Sequence, residues 1–206
     1  MGGSGDKSPL AKLGQSKHLS SAEYFGSITD AKEASKILAK KLSANSGKKI
    51  TAKQADAMWD SVLTYSGSKY TEIREYQKTG KGNSKIRKDA EQVENYIAVA
   101  PKWQGGTLYR GINVTQDVLN GFKVGAKINN GGTSSWTDKK DNAKTFTRGL
   151  NKKVIFVMDK TKRGTSITHL SNHPKEAEVL VSAKSSMKIT KLKKQNGVTY
   201  VHVIEV

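Results

Sequence analysis

The hydrophobic period of the chain changes at Pro101, and this change limits the possible folds more than any other sequence feature. Before Pro101, apolar residues recur at the spacing of amphipathic helices, whereas after it they form short alternating runs between glycine-rich breaks. Helices and strands segregated along a chain in this way indicate an α+β domain. At 206 residues, the chain is long enough for one such domain and a short appendage.

Individual helices and strands can be placed from local signals. Capping-box pairs, Asp30 with Glu33 and Thr51 with Gln54, begin two of the predicted helices. Helices are expected around residues 30–42, 51–63, 70–73, 86–97, 115–120 and 141–147. Strands are expected at residues 107–112, 124–128, 133–137, 154–158, 177–182, 187–192 and 198–206.

The domain is predicted to span residues 21–206, with a helical part at about 30–100 and a β-rich part at about 105–206. Residues 1–20 are rich in Gly, Ser and Lys and carry few apolar side chains, so we expect a flexible basic tail there. No apolar run is long enough to span a membrane and no signal peptide is recognisable, which favours a cytoplasmic protein.

The chain is strongly basic and contains no cysteine. Its net charge is +18, and the excess is densest in residues 105–206, which hold 18 basic and 7 acidic residues. A field of this sign attracts anionic ligands and polyanionic partners without identifying them. The lack of cysteine excludes disulfides, thiolate zinc sites and cysteine nucleophiles.

Three short segments in the β-rich part carry the side chains with the clearest chemical potential. In the first, Arg110 lies in a predicted strand before Gly111; its guanidinium matches phosphate oxygens, and the glycine lets a ligand approach the backbone. In the second, Ser135 and Thr137 share one strand face and Trp136 occupies the other. Taken singly, these segments also fit a surface arginine and an ordinary strand with a buried tryptophan.

The third segment pairs Glu176 with Glu178 at the start of an apolar strand. Because side chains alternate along a strand, we expect both carboxylates on the same face, where each raises the other's pKa unless a cation or a hydrogen-bond donor intervenes. Two acids in that position lower stability, which suggests a functional use. The alternative is a solvated strand edge.

Together, the three segments resemble the Arg-Ser-Glu class of mono-ADP-ribosyltransferases, which includes the clostridial binary actin toxins and several phage enzymes. The likeness continues in Phe146, which lies eleven residues after Ser135 as in the family. Tyr65 and Tyr70 match the family's Tyr-x-x-x-x-Tyr helix motif. The resemblance covers about residues 50–206.

Two positions depart from the family pattern, and one alternative frame exists. Trp136 follows the motif serine where Thr is usual, and Arg74 stands where many relatives have Asn. The adjacent frame Thr133-Ser134-Ser135 looks closer to the family's Ser-Thr-Ser, but it loses the spacing to Phe146. Ser135 is therefore preferred as the motif serine.

The resemblance implies helices packed on two antiparallel or mixed β-sheets that flank a cleft for NAD, the substrate, with no metal. The NAD-binding residues that it implies are Arg110, Gly111, Ser135, Thr137, Phe146, Tyr65 and Tyr70. In this arrangement Arg110 would bind the phosphates, and the Gly111 backbone would lie near the nicotinamide amide. Phe146 would border the nicotinamide, and the two tyrosines would close over the phosphates.

The catalytic residues that the resemblance implies are Glu178, Glu176 and Ser135. Glu178 would bond the nicotinamide ribose and stabilise an oxocarbenium-like state, as carboxylates do in glycoside hydrolysis, while Ser135 holds it in place. Glu176 would accept a proton from a guanidinium, which is a poor nucleophile while charged. We therefore expect transfer of ADP-ribose to an arginine of a target protein.

The expected partners are NAD and an acidic or nucleic-acid-associated host protein, reached by a monomeric phage or bacterial effector in the cytoplasm. Two alternatives stay open: a nucleic-acid-binding module in which Trp103, Tyr109 and Trp136 stack bases, and an inactive phage structural relative. His169 and His173 are four residues apart, but we expect them to be loop histidines and not metal ligands.

Overall fold

Helices dominate the chain before Pro101. The computed structural model describes residues 18–28, 30–149 and 151–206. The helices of this part are α1 (Ser21–Phe25), α2 (Ala31–Ser46), α3 (Ala52–Thr64), α4 (Tyr70–Thr79) and α5 (Ser84–Val99). A π turn, Tyr65–Lys69, joins α3 to α4, and the chain kinks there at Gly67. α5 ends just before Pro101, as predicted.

The helix starts follow from local side-chain hydrogen bonds. The predicted capping box at Thr51 is present. At α2, Asp30 accepts from the backbone N–H of Lys32 at 2.8 Å, while Glu33 pairs with Lys36 at 3.1 Å. The predicted Asp30–Glu33 capping box is therefore wrong, because a lysine one turn further along takes the glutamate side chain.

Strands fill most of the second half of the chain. They are β1 (Leu108–Val114), β2 (Lys127–Asn129), β3 (Ser134–Thr137), β4 (Lys152–Met158), β5 (Gly164–Ser166), β6 (Glu178–Val181), β7 (Ser186–Gln195) and β8 (Val198–Glu205). Two short helices interrupt them, α6 (Gln116–Asn120) and α7 (Lys140–Thr145). α1 and β5 were not predicted, because elements this short show no clear hydrophobic period.

The strands form one hydrogen-bonded sheet in the order β2-β7-β8-β4-β1-β3-β6-β5. The neighbouring pairs are antiparallel except β4 with β8, which is parallel. The expected two sheets are thus two halves of one mixed sheet, joined where Tyr109 of β1 pairs with Thr137 of β3. The α+β class is confirmed, and the weak junction leaves room for a cleft between the halves.

Two apolar cores hold this sheet in place. The helices enclose the first core, which includes Leu38, Val62 and Ile97 and also takes Leu180 from β6. The second core lies on the other side of β6. It contains Val179 together with apolar side chains from β4 and β8. Because β6 is buried on both faces, its first residue is carried by a rigid strand.

The described start of the N-terminal segment contacts both the helical part and the β-rich part of the domain. Residues 1–17 of the predicted tail lie outside the described residues. Ser20 caps α1 in a capping box with Glu23, and the ring of His18 lies 4.7 Å from that of Trp103. Within the ranges that the structure describes, no helix has both the length and the hydropathy to cross a membrane.

Candidate active site

A cavity of about 430 Å³ opens where the two halves of the sheet meet. Strands β1, β3 and β6 contribute to its wall, together with α7 and the π turn before α4. All the site residues predicted from the sequence lie on this wall: Tyr65, Tyr70, Arg110, Gly111, Ser135, Thr137, Phe146, Glu176 and Glu178. The structure thus brings together side chains from five separate stretches of the chain.

Arg110 supplies the fixed positive charge of the cavity. Its Nη1 atom donates to the carbonyl oxygen of Ser135 at 3.1 Å, which ties β1 to β3. Burial, together with the neighbouring charge of Arg74, lowers the pKa of Arg110 to about 10. The guanidinium therefore stays charged at neutral pH, and an anion placed between two arginines would relieve their repulsion.

Arg74 is a cavity residue that the sequence did not assign. It stands where many relatives have asparagine, and it lines the wall beside Tyr70. Its backbone also packs against Gly132, where an added Cβ would lie 3.2 Å from the Arg74 Cα. The approach of α4 to the glycine-rich turn before β3 places this second guanidinium.

Strand alternation in β3 separates its side chains as predicted. Trp136 is 2% exposed, and its indole N–H donates to the Ser134 hydroxyl at 2.9 Å, so Ser134 and Trp136 share one face of β3. Ser135 points the other way and hydrogen-bonds to both the Glu178 carboxyl group and the Tyr65 phenol. Because one hydroxyl has a single proton, it donates to one of these groups at a time.

Glu178 is the buried acid of the cavity. It is the first residue of β6, pairs with Thr137 of β3 and is 6% exposed. Burial raises the pKa of Glu178 to about 7, and the charge of Glu176 acts in the same direction. The Ser135 hydrogen bond and Arg110 act against this rise. The carboxyl group therefore holds its proton to a higher pH than an exposed glutamate does.

Glu176 is not on the strand that carries Glu178, so the prediction of two acids on one strand face is wrong. It ends a 3₁₀ turn, Pro174–Glu176, and Ala177 follows in the left-handed region with φ 50° and ψ 53°. This left-handed residue separates the two acids, and both still line the cavity. A left-handed alanine costs about 1 kcal/mol, and such residues cluster at functional sites.

Position 111 requires a glycine because α7 packs directly against its Cα. An added Cβ would lie 1.8 Å from the carbonyl oxygen of Ala143 in α7. The sequence-based reason for this glycine was the approach of a ligand, whereas the structure shows that it admits a helix. Direct contact of α7 with β1 brings Phe146, which is 55% exposed, to the rim of the cavity.

The two tyrosines of the helix motif differ in freedom. Tyr65 is 1% exposed, and its hydroxyl donates to the carbonyl oxygen of Thr133 at 2.7 Å. Burial raises the pKa of Tyr65, which keeps it a neutral donor. Tyr70 is 52% exposed and lies beyond the kink at the π turn. Of the two tyrosines, only Tyr70 has the exposure that a closing motion over a ligand requires.

A hydrogen-bond network behind the cavity was also missed by the sequence. Thr133 exchanges two hydrogen bonds with Gln77, at 2.7 and 2.9 Å, and donates to Glu94 at 2.7 Å. The same Glu94 carboxylate accepts from the Ser182 hydroxyl at 2.6 Å and from the Ala183 backbone at 2.8 Å. One glutamate of α5 thereby ties together the ends of β3 and β6.

The structure also tests the alternative functions. Trp103 and Trp136 are 4% and 2% exposed, so neither can stack on a nucleic-acid base. His169 is buried against Tyr24, with ring centroids 3.8 Å apart, whereas His173 lies on the cavity wall. Across residues 18–28, 30–149 and 151–206, no group of three His, Cys, Asp or Glu residues could hold a metal.

Comparison with known proteins identifies this arrangement. The sequence model of the NAD:arginine ADP-ribosyltransferases matches residues 12–205. The chain belongs to this family. The mono-ADP-ribosyltransferase family predicted from the three motif segments is therefore confirmed.

Relatives of this NAD:arginine ADP-ribosyltransferase family agree in sequence and in fold. The putative NAD(+)–arginine ADP-ribosyltransferase Vis of Vibrio splendidus is 27% identical over 162 residues, which span 75% of this chain and 65% of Vis. The crystal structure of Vis in complex with agmatine has a TM-score of 0.65 at 24% identity and covers 89% of each chain.

A more distant structure extends the comparison. Exoenzyme S from Pseudomonas aeruginosa, in complex with human 14-3-3 protein beta and bound to carba-NAD, has a TM-score of 0.63 at 16% identity. The match covers 86% of this chain and 90% of Exoenzyme S. At this identity the likeness shows a shared fold.

Proposed function

We propose that this protein transfers ADP-ribose from NAD to an arginine side chain of a target protein and releases nicotinamide. The convergence of Arg110, Ser135, Glu178 and Glu176 on one cavity carries the proposal. Family membership supports it, as do the solved complexes of Vis with agmatine, which is a guanidine, and of Exoenzyme S with carba-NAD.

The first step is loss of nicotinamide. Arg110 and Arg74 bind the pyrophosphate of NAD, because two guanidiniums on one wall match its two negative charges. The bond between ribose C1′ and the nicotinamide nitrogen breaks, and the electron pair leaves with nicotinamide. Ionised Glu178 stabilises the positive charge that develops on the ribose, and Ser135 holds the carboxylate.

The second step is attack by the acceptor. A guanidinium must lose a proton before its nitrogen can attack C1′. Glu176, on the turn beside the cavity, accepts this proton, and the freed nitrogen then forms the bond to C1′. The ADP-ribosylated product is again a guanidinium with one positive charge, and Glu176 passes the proton that it accepted to water.

The target is proposed from charge. The chain carries a net charge of +18, which attracts an acidic or nucleic-acid-associated protein and raises the encounter rate with it. We propose that the enzyme is a monomer. We also propose that it acts in a cytoplasm, where NAD and such targets occur together.

Labelled NAD and agmatine test the proposal directly. The wild type should release nicotinamide and form ADP-ribosyl-agmatine, and Glu178→Gln should lose both reactions. Glu176→Gln should lose transfer to agmatine while still releasing nicotinamide. Transfer to agmatine by Glu176→Gln at the wild-type rate would contradict the arginine assignment, and a wild type that leaves NAD intact would favour the inactive structural relative.

A further inference from the structure

The turn that carries Glu176 is held by a side chain from another element. The Asn142 amide nitrogen, on α7, donates to the carbonyl oxygen of Lys175 at 3.0 Å and to that of Glu176 at 3.1 Å. Both acceptors belong to the 3₁₀ turn Pro174–Glu176. One amide group therefore binds two successive carbonyls of the turn and uses both of its protons.

The turn also has backbone hydrogen bonds of its own. Its own backbone bonds are the Glu176 N–H to the His173 carbonyl at 3.0 Å and the Ala177 N–H to the Pro174 carbonyl at 3.2 Å. Ala177 then adopts the left-handed conformation. Relaxation of Ala177 to an extended conformation would relieve the strain of the left-handed backbone, and a contact from outside the turn opposes that change.

Helix α7 is a suitable anchor for that contact. Its Ala143 carbonyl packs on Gly111 so closely that a Cβ there would lie 1.8 Å away. The same strand, β1, carries Arg110, so α7 fixes the acid-bearing turn relative to the cationic wall. Asn142 is the link between them.

Glu178 is held by different contacts. It pairs with Thr137 in the β3–β6 ladder and hydrogen-bonds to Ser135. None of these contacts passes through Asn142. The two acids of the cavity therefore depend on separate supports, one in a strand and one in a clamped turn.

We propose that Asn142 is a positioning residue that holds Glu176 in place to accept the proton of the acceptor guanidinium. Its role rests on the proposed transferase function. Nicotinamide loss depends on Glu178 and is independent of Asn142, whereas transfer to arginine depends on both. Asn142 therefore sets the ratio of arginine transfer to NAD hydrolysis.

The test compares two rates in the full-length chain. Asn142→Leu removes both donors with little change in size, and Asn142→Ala removes them without adding bulk. Transfer to agmatine should fall about 100-fold in kcat, the lower range for a misplaced general base, while NAD hydrolysis without acceptor should change less than about twofold. Asp141→Ala on the same helix, where the side chain is 89% exposed, should leave both rates unchanged.

The possible outcomes separate this role from general support. An equal fall of transfer and hydrolysis in both Asn142 variants would mean that Asn142 merely supports the cavity, and unchanged transfer would mean that the turn holds itself. Either result overturns the inference. If the wild type does not consume NAD at all, the proposed function fails instead, so the two failures are distinguishable.

Discussion

His169 of the helical core and Glu178 of the cleft are both buried, and burial shifts their pKa values in opposite directions. In the helical core, His169 is stacked on Tyr24 and bonded to the Tyr96 hydroxyl at 3.2 Å. Burial lowers the pKa of His169 to about 3, so its neutral form persists at working pH. In the cleft, burial raises the pKa of Glu178 to about 7, although the proposed chemistry needs its charge.

This difference separates a region built for stability from one built for chemistry. A neutral imidazole in an apolar core is the form that the core stabilises. The surroundings of Glu178 in the cleft disfavour its ionised form. Folding is therefore less favourable than it would be with a neutral side chain at this position. This loss of stability has a functional return, because a buried carboxylate interacts strongly with a developing positive charge.

The largest expected effect comes from Glu178→Gln. The substitution keeps the shape of the side chain and removes its charge, so nicotinamide release from NAD should fall at least about 1000-fold. Activity of the wild type should itself fall as pH drops below about 7, because Glu178 becomes protonated. Steady-state rates of NAD hydrolysis from pH 5 to pH 9 measure both effects.

The same variant should be more stable than the wild type, but only at high pH. The pKa of Glu178 rises from 4.5 to about 7 on folding. Between these values the unfolded chain ionises first, so the free energy of unfolding decreases as pH rises, and above about pH 7 the full loss of about 3 kcal/mol is present. Urea unfolding of both proteins at pH 8 and pH 5 measures this effect. If the two proteins differ by the same free energy of unfolding at both pH values, the prediction is wrong.

A smaller effect is expected where the two regions join. Glu94→Ala removes the carboxylate that binds Thr133, Ser182 and Ala183, and it leaves buried donors without a partner. The free energy of unfolding should fall by about 2–3 kcal/mol. Because the strands that carry Ser135 and Glu178 lose a common support, the kcat for NAD hydrolysis should fall as well.

Glu91 offers a matched control for this substitution. It lies one turn earlier on α5, is 60% exposed and forms a 4.0 Å ion pair with Arg87. Glu91→Ala should change the free energy of unfolding by less than about 0.5 kcal/mol. If both alanine variants lose the same stability, the network at Glu94 is not the junction between the regions.

The smallest expected effect lies in the helical core. His169 titrates near 3 when folded and near 6.5 when unfolded, so the unfolded chain binds more protons between these values. Stability from this group is therefore full above pH 6.5 and falls by about 1.4 kcal/mol for each unit below it, or about 2 kcal/mol at pH 5. His169→Phe should remove that dependence, and urea unfolding at pH 7 and pH 5 should show a smaller difference than in the wild type.

Local sequence signals predicted the elements that their own residues stabilise. The Thr51 capping box, the end of α5 before Pro101 and the alternation at Ser135, Trp136 and Thr137 all follow from neighbouring side chains. The prediction failed for Glu176, because the left-handed residue that follows it is Ala177. A glycine, which usually marks such a backbone turn in a sequence, is not present at that position.

The sequence by itself determined the α+β pattern, the family resemblance and the identities of the side chains around the cavity, because periods, caps and motif spacings are properties of neighbouring residues. Only the tertiary structure decided that Arg74 joins Arg110, that Gly111 admits α7, and that Asn142 and Glu94 support the acids. The physical reason is that burial and long-range hydrogen bonds depend on which surfaces meet. Those same contacts set the charge state of Glu178.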